Sequence, residues 1–177
     1  ISKEEWIKLS RAIKKFSSLP IFIDDTTNIS IQTIRVQLKK ILFEQTKIGL
    51  VIIDYLQLMQ NSKLKAENRV QELSQITRNL KSIAREFNIP VIALSQLSRN
   101  VETRINKRPL LSDLRESGSI EQDADLVLML FRENYYNLKK EQQDLAEIIV
   151  AKHRNGPTGT IRLKFDAKFI KFSNYNY

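Results

Sequence analysis

Two apolar runs, each ending in polar side chains and separated by a long amphipathic stretch, constrain this chain more than any other feature. Gly49-Leu50-Val51-Ile52-Ile53 runs without interruption into Asp54, and Pro90-Val91-Ile92-Ala93-Leu94 runs into Ser95-Gln96. Apolar runs of this length without alternation suit strands covered on both faces, as in parallel sheets. Between them Val70, Leu73, Ile76, Leu80, Ile83 and Phe87 recur at helical spacing over about six turns. Strand, helix, strand is the unit of an α/β fold with a mostly parallel sheet flanked by helices on both faces. Ligands bind beyond the carboxyl ends of strands in such sheets, so the pattern predicts that Asp54 and Gln96 share one edge.

The flanking segments extend this reading. Ser2 and Glu5 have the spacing of a capping box, and Trp6, Leu9, Ile13 and Phe16 follow on one face of a helix that ends near Ser17-Ser18, before Pro20. Ile21-Phe22-Ile23 reads as a short buried strand that brings Asp24-Asp25 to the same edge as Asp54. Ser30 can cap a second helix carrying Ile34, Leu38, Ile41 and Leu42. From Asp125 onward the texture changes. Asp125–Arg132, Ala146–His153, Thr160–Phe165 and Phe169–Phe172 are strand-like runs with no long helix between them, which predicts terminal, partly antiparallel strands. Asn155-Gly156-Pro157-Thr158-Gly159 is a tight-turn signal joining two of them. Polar stretches at 62–68 and 134–144 break the pattern, but neither reads as a linker, and no repeat is visible. The 177 residues form one domain by this reading.

Composition narrows the chemistry. Lys and Arg number 29 against 20 Asp and Glu, a net charge of +9, which favours a polyanionic partner; the plainer account is a soluble basic surface. There is no Cys and a single His, which excludes disulfides, thiolate catalysis, Cys-ligated zinc and multi-histidine metal sites, and points to a reducing compartment. No apolar stretch approaches the length of a membrane span. The start, Ile1-Ser2-Lys3, is neither a secretory signal nor an initiator Met, and reads as that of a fragment or processed product.

Asp54 is the candidate magnesium ligand, because a strand end fixes a carboxylate and a hard cation beside phosphates takes oxygen ligands. An Asp capping the following turn is the simpler alternative. Gln96 can sense a γ-phosphate or orient water, or be a surface amide. Arg99, Arg104, Lys107 and Arg108 precede the polar loop Leu111–Gly118, whose backbone N–H groups and Arg115 can meet single-strand phosphates. A solvated loop with an internal Arg–Glu pair fits the same residues. Lys152 and Arg154, two apart at the end of an apolar run, point to one face as a phosphate clamp requires, or else guard a strand edge. His153 between them, alternating in facing, reads as structural or solvent-exposed and not as catalytic. None of the four glycines, at 49, 118, 156 and 159, begins a G-x-x-x-x-G-K-S/T phosphate loop.

Four segments taken together, Val51–Leu58, Ala93–Arg99, Arg108–Asp125 and Lys152–Gly159, closely resemble DnaB-type replicative DNA helicases. The resemblance runs from about Ile1 to Phe172 and corresponds to the later part of the RecA-like motor domain. It implies a P-loop NTPase-type fold for residues 1–177, here lacking the phosphate loop. It also implies an ATP-dependent DNA helicase that encircles single-stranded DNA as a homo-hexamer and unwinds duplex at the replication fork. ATP and Mg²⁺ would bind between adjacent subunits. Asp54 matches the Walker B aspartate, which holds magnesium through water, and Gln96 the glutamine that contacts the γ-phosphate and links it to the DNA loop. Arg115, Glu116 and Gly118 match the loop that grips the DNA backbone. Lys152 and Arg154 match the basic pair inserted into a neighbour's nucleotide site, Arg154 as the arginine finger.

Family members also carry an amino-terminal helical domain, a linker helix, the phosphate loop and a catalytic glutamate, all expected before Ile1. Glu4 and Glu5 fall in the amphipathic helix and do not substitute. The chain alone is therefore expected to be inactive, and an intein-interrupted gene is one way such a chain arises. Primase and a helicase loader are the implied partners, with no membrane. Richness in Lys, Asn and Ile suits an A+T-rich genome and hence a bacterial cytoplasm, at the nucleoid, or a plastid stroma. Two other classes fit some of the residues. A phosphorylation-receiver domain would use Asp24, Asp25, Asp54, Ser95 and Lys152, and a non-catalytic single-strand-binding module would use the charge alone.

Overall fold

The computed structural model describes residues 2–44, 47–59, 69–136 and 145–175, without the side chains of 115–119 and 134. Its elements follow in the order α1 (Lys3–Ser17), α2 (Ile31–Glu44), β1 (Val51–Ile53), α3 (Arg69–Phe87), β2 (Val91–Ala93), α4 (Asn100–Thr103), α5 (Gly118–Asp123), β3 (Leu126–Phe131), α6 (Glu133–Tyr136), β4 (Leu145–His153), β5 (Gly159–Asp166) and β6 (Lys171–Asn174). Short 3-10 turns occupy Leu56–Leu58 and Leu111–Ser117. The polar stretches at 62–68 and 137–144 lie outside the described residues.

Local chemistry sets the helix starts. The Glu5 N–H donates to Ser2 Oγ at 3.2 Å and the Ser2 N–H to Glu5 Oε2 at 2.7 Å, the reciprocal capping box. Ser30 Oγ accepts the Thr33 N–H at 3.1 Å and opens α2. β1 and β2 pair in parallel, Val51 opposite Val91 and Ile53 opposite Ala93. α3 supplies the connection and lays Leu73, Ile76, Leu80 and Ile83 into a core shared with Ile31, Ile34 and Leu38 of α2 and with Ile53, Leu56 and Met59. The other four strands form an antiparallel sheet in the order β3-β4-β5-β6. Val127 and Met129 of β3 face a second, smaller core with Leu114, and Ile120 of α5 packs against both cores.

Two expectations are corrected. Ile21-Phe22-Ile23 is an exposed segment without strand pairing, because no described strand lies beside it. Asp24 therefore does not end a paired strand; its carboxylate accepts the Thr26 N–H at 3.0 Å in a local turn. The parallel pair is also covered on one face only. Ile52 is 61% exposed, and Ile92 and Leu94 are exposed beside it. α1 likewise buries none of its residues, and Trp6, Ile13 and Phe16 stand in solvent. Among the described residues, no helix is long and apolar enough to cross a membrane.

Ile76 is completely buried beneath the parallel pair. Ile76→Ala is expected to lower unfolding free energy by about 2–5 kcal/mol, the usual cost of a large-to-small change in a packed core. Denaturant unfolding measures it; a loss below about 1 kcal/mol would place Ile76 in a collapsible site.

Candidate functional site

The parallel register fixes the first part of the site. With Ile53 opposite Ala93, Asp54 and the Ser95-Gln96 pair leave the sheet at one carboxyl edge, as the sequence predicts. Leu94 donates its N–H to Ile53 O at 2.9 Å, and the Leu56 N–H donates to Leu94 O at 2.9 Å, so the two chains stay laced past the last paired residues. Asp54 and Gln96 are both exposed there. Gln57, which sequence reasoning gave no role, clamps the second chain. Its Nε2 donates to Ser95 Oγ at 3.1 Å and to Gln96 O at 3.5 Å, and its Oε1 accepts the Gln96 N–H at 3.4 Å. Arg69, at the start of α3, donates from Nη2 to Gln57 O at 2.6 Å and forms an ion pair with Glu72.

From Gln96 the scaffold continues toward the predicted DNA loop. The Ser98 N–H donates to Asp113 O at 2.9 Å. The Asp113 side chain, buried, accepts the Leu110 N–H at 2.8 Å and Arg104 Nη2 at 2.6 Å, pinning the start of the Leu111–Ser117 turns. Arg115 and Glu116 follow within those turns, and Gly118 opens α5. Two of the cations preceding the loop are tied inward: Arg104 pairs with Asp113, and Arg108 pairs with Glu147 of β4. They brace the loop, a task their spacing does not distinguish from phosphate binding. Arg99 is exposed.

Lys152 and Arg154 occupy a different place. Lys152 Nζ donates to the carbonyls of Glu121 and Gln122, at 3.2 Å for the latter, where a cation complements the carbonyl end of α5. Arg154 follows β4 and donates from Nη1 to Asp125 Oδ1 at 2.9 Å. Lys152 thus bonds to the end of α5 and Arg154 to the residue just before β3. Among the described residues no hydrogen bond or ion pair joins either cation to Asp54 or Gln96. His153 folds its ring over Gly156, where an added Cβ would approach the ring within 2.5 Å, which fits a structural contact in the β4–β5 turn.

Asp125 also takes an ion pair from Lys81 of α3. That hydrogen bond, with the charges of Lys81, Arg154 and Arg85, holds its carboxyl below the usual carboxylate range. A lowered carboxylate favours the folded state above its unfolded value and loses that contribution as pH falls through the folded value.

An open groove of about 710 Å³ lies here, lined by Arg78, Lys81, Arg85, Gln122, Asp123 and Arg154 among others. Among the described residues no group of three or more His, Asp or Glu side chains could hold a metal. Asp54 is thus a lone carboxylate at a strand end, which fits a magnesium ion that takes most of its ligands from phosphates and water and not from a protein cage. It also leaves the acidic pocket of a phosphorylation receiver unassembled.

A parallel strand pair that ends in Asp54 and Gln96, followed by a four-stranded antiparallel sheet, is the architecture of a RecA-like α/β domain. The model of the DnaB-like helicase C-terminal domain matches residues 1–174, and the chain belongs to that family. It is 71% identical over 99% of its length to a probable replicative DNA helicase of Trieres chinensis, and 51% identical over 98% to the replicative DNA helicase DnaB of Geobacillus stearothermophilus. It spans 39% and 38% of those two proteins. A solved ATPase domain superposes with a TM-score of 0.93 at 44% identity, covering 99% of this chain and 62% of that one. A DnaB-like replicative helicase, solved to describe its interactions with primase, superposes with a TM-score of 0.92 at 44% identity, covering 99% of this chain and 43% of that one.

Asp113 supplies the test of the brace. Asp113→Ala leaves the Leu110 N–H and the Arg104 guanidinium without their shared acceptor and is expected to cost about 1–3 kcal/mol. Faster amide exchange over Leu110–Leu114 would accompany that loss; unchanged exchange would remove Asp113 from the loop's support.

Proposed function

We propose that residues 1–177 are the later part of a RecA-like helicase motor, within an ATP-dependent hexamer that unwinds duplex DNA at the replication fork by translocating on single-stranded DNA. The observation that supports the reading is that Arg154 bonds to Asp125 and, among the described residues, not to Asp54 or Gln96, in a chain with no phosphate-loop sequence. A half-exposed cation that does not join the Asp54–Gln96 edge is available to a neighbouring subunit. The exposed apolar faces of α1, β1 and β2 are, in the same reading, covered by protein from the length that the relatives have and this chain does not span. Large exposed apolar surfaces ordinarily mark such contacts.

Each residue then has a task. Asp54 would hold magnesium through water, and the ion would supply neutralising charge to the phosphates of a bound nucleotide. Gln96, fixed by Gln57, faces the γ-phosphate, and the Ser98–Asp113 bond gives its displacement a route to the DNA loop. Arg115, Glu116 and Gly118 hold the DNA backbone without reading bases. Lys152 and Arg154 complete the neighbour's site, where a finger stabilises charge on the transferring phosphoryl group. Primase and a helicase loader are the proposed partners, in a bacterial cytoplasm or plastid stroma. Without a phosphate loop the chain alone is inactive in this reading.

DNA-stimulated ATPase, measured on the chain and on a version that restores the phosphate loop, tests the proposal. Activity is expected only in the longer protein, and single-strand binding without activity in either would favour a non-catalytic binding module. In the active ring Arg154→Ala is expected to cut turnover by about 10³–10⁵-fold while nucleotide still binds. Arg115→Ala should weaken DNA binding and flatten its salt dependence by about one unit of slope. Unchanged affinity across a salt series would remove Arg115 from the DNA site.

A further inference from the structure

We infer that Asp125 is a positioning residue for Arg154, fixing the finger so that the rest of its guanidinium meets a neighbouring subunit's phosphates already ordered. The inference rests on the proposed role of Arg154 in trans. Asp125 immediately precedes β3 and Arg154 immediately follows β4, and Leu126 stands opposite His153 in the register. The two residues are therefore neighbours just past the paired ends of two antiparallel strands. Asp125 holds Arg154 twice: its carbonyl accepts the Arg154 N–H at 2.8 Å, and Oδ1 accepts from Nη1 at 2.9 Å. The second carboxylate oxygen, Oδ2, takes Lys81 of α3, so the carboxylate cannot turn away from the finger without losing another ion pair.

The geometry leaves the finger usable. A guanidinium carries five N–H donors in a planar fork, and Asp125 occupies one edge. The Arg154 side chain remains 45% exposed and lines the basic groove beside Arg78, Lys81 and Arg85. An anion approaching that groove meets several cations and a fork that is already aimed. Exposed ion pairs contribute little to stability, and the Asp125 side chain is 55% exposed, so a purely stabilising role accounts poorly for a carboxylate held from both sides. Ordering an arginine before the phosphate arrives spares the rotamer entropy otherwise lost at the moment of reaction.

The test uses the full-length, ring-forming protein, with ring assembly checked by light scattering. Asp125→Ala is expected to lower kcat at least about tenfold while KM for ATP stays within about twofold, the pattern of a contact made only in the transition state. Asp125→Asn, which keeps one acceptor and the side-chain shape, should fall between alanine and the native protein, and carries the test if alanine disturbs assembly. Binding of ADP with aluminium fluoride, a mimic of the transferring phosphoryl group, should weaken by about tenfold while ADP alone is unaffected. With Arg154→Ala already in place, Asp125→Ala should add less than about twofold to that loss.

Unchanged kcat in both Asp125 variants, or full additivity with Arg154→Ala, would each overturn the inference. Full turnover by Arg154→Ala would instead remove the finger assignment, and this inference with it. An inactive Arg154→Ala beside fully active Asp125 variants would overturn the positioning role alone.

Discussion

The parallel pairing of β1 with β2 is the constraint on which the rest of the structure depends. Parallel neighbours need a crossover, and α3 provides it with one apolar face turned onto the pair. Once Ile53 stands opposite Ala93, the residues that follow each strand have no freedom to separate, and Asp54 and Gln96 leave the sheet together. Leu94 bridges to Ile53 and Leu56 beyond the last rung, which carries the order of the sheet into loops that would otherwise move. Backbone hydrogen bonds thus set the place of two exposed polar side chains that have few partners of their own.

A second layer of polar contacts converts that edge into a path. Gln57 reads the backbone of Ser95 and Gln96 with its amide, Arg69 holds the Gln57 carbonyl, and Ser98 passes the connection to Asp113. Asp113 is the buried member, and a carboxylate out of water must be saturated with donors to stay there. It finds them in Leu110 and Arg104, which ties the loop's start to the segment after β2. Directional bonds thus run from the Gln96 backbone to the start of the Leu111–Ser117 turns.

The parts legible in the sequence were those governed by local periodicity. α3 runs from Arg69 to Phe87, where its apolar spacing predicts it, and the capping box at Ser2 and Glu5 forms as written. The runs at Asp125–Arg132, Ala146–His153 and Thr160–Phe165 became β3, β4 and β5 within a residue or two. The edge shared by Asp54 and Gln96 was legible for the same reason, because strand ends follow from strand pattern. What periodicity does not encode is the partner. Ile21-Phe22-Ile23 has the composition of a strand, yet pairing needs a second backbone, and the described residues offer none beside it. Gln57, Asp113 and Asp125 were illegible because an amide or carboxylate states its hydrogen-bonding capacity in sequence but not its donors, which here include groups 9, 39 and 44 positions away.

The exposed faces and the displaced cations follow from one physical fact. A strand pair with Ile52, Ile92 and Leu94 on an open face has more apolar surface than the described residues cover, and Arg154 stands half-exposed at an open groove, bonded to Asp125. Both features ask for a surface from outside, one apolar and one anionic. A motor that places its catalytic groups on two subunits gains control from this arrangement, since hydrolysis then requires both faces to be closed at once. Asp125 fits that logic: it keeps the donated cation neutralised and aimed while the neighbour is absent. When a phosphate arrives, the fork can exchange water for a second anion on its free edge without first finding its place.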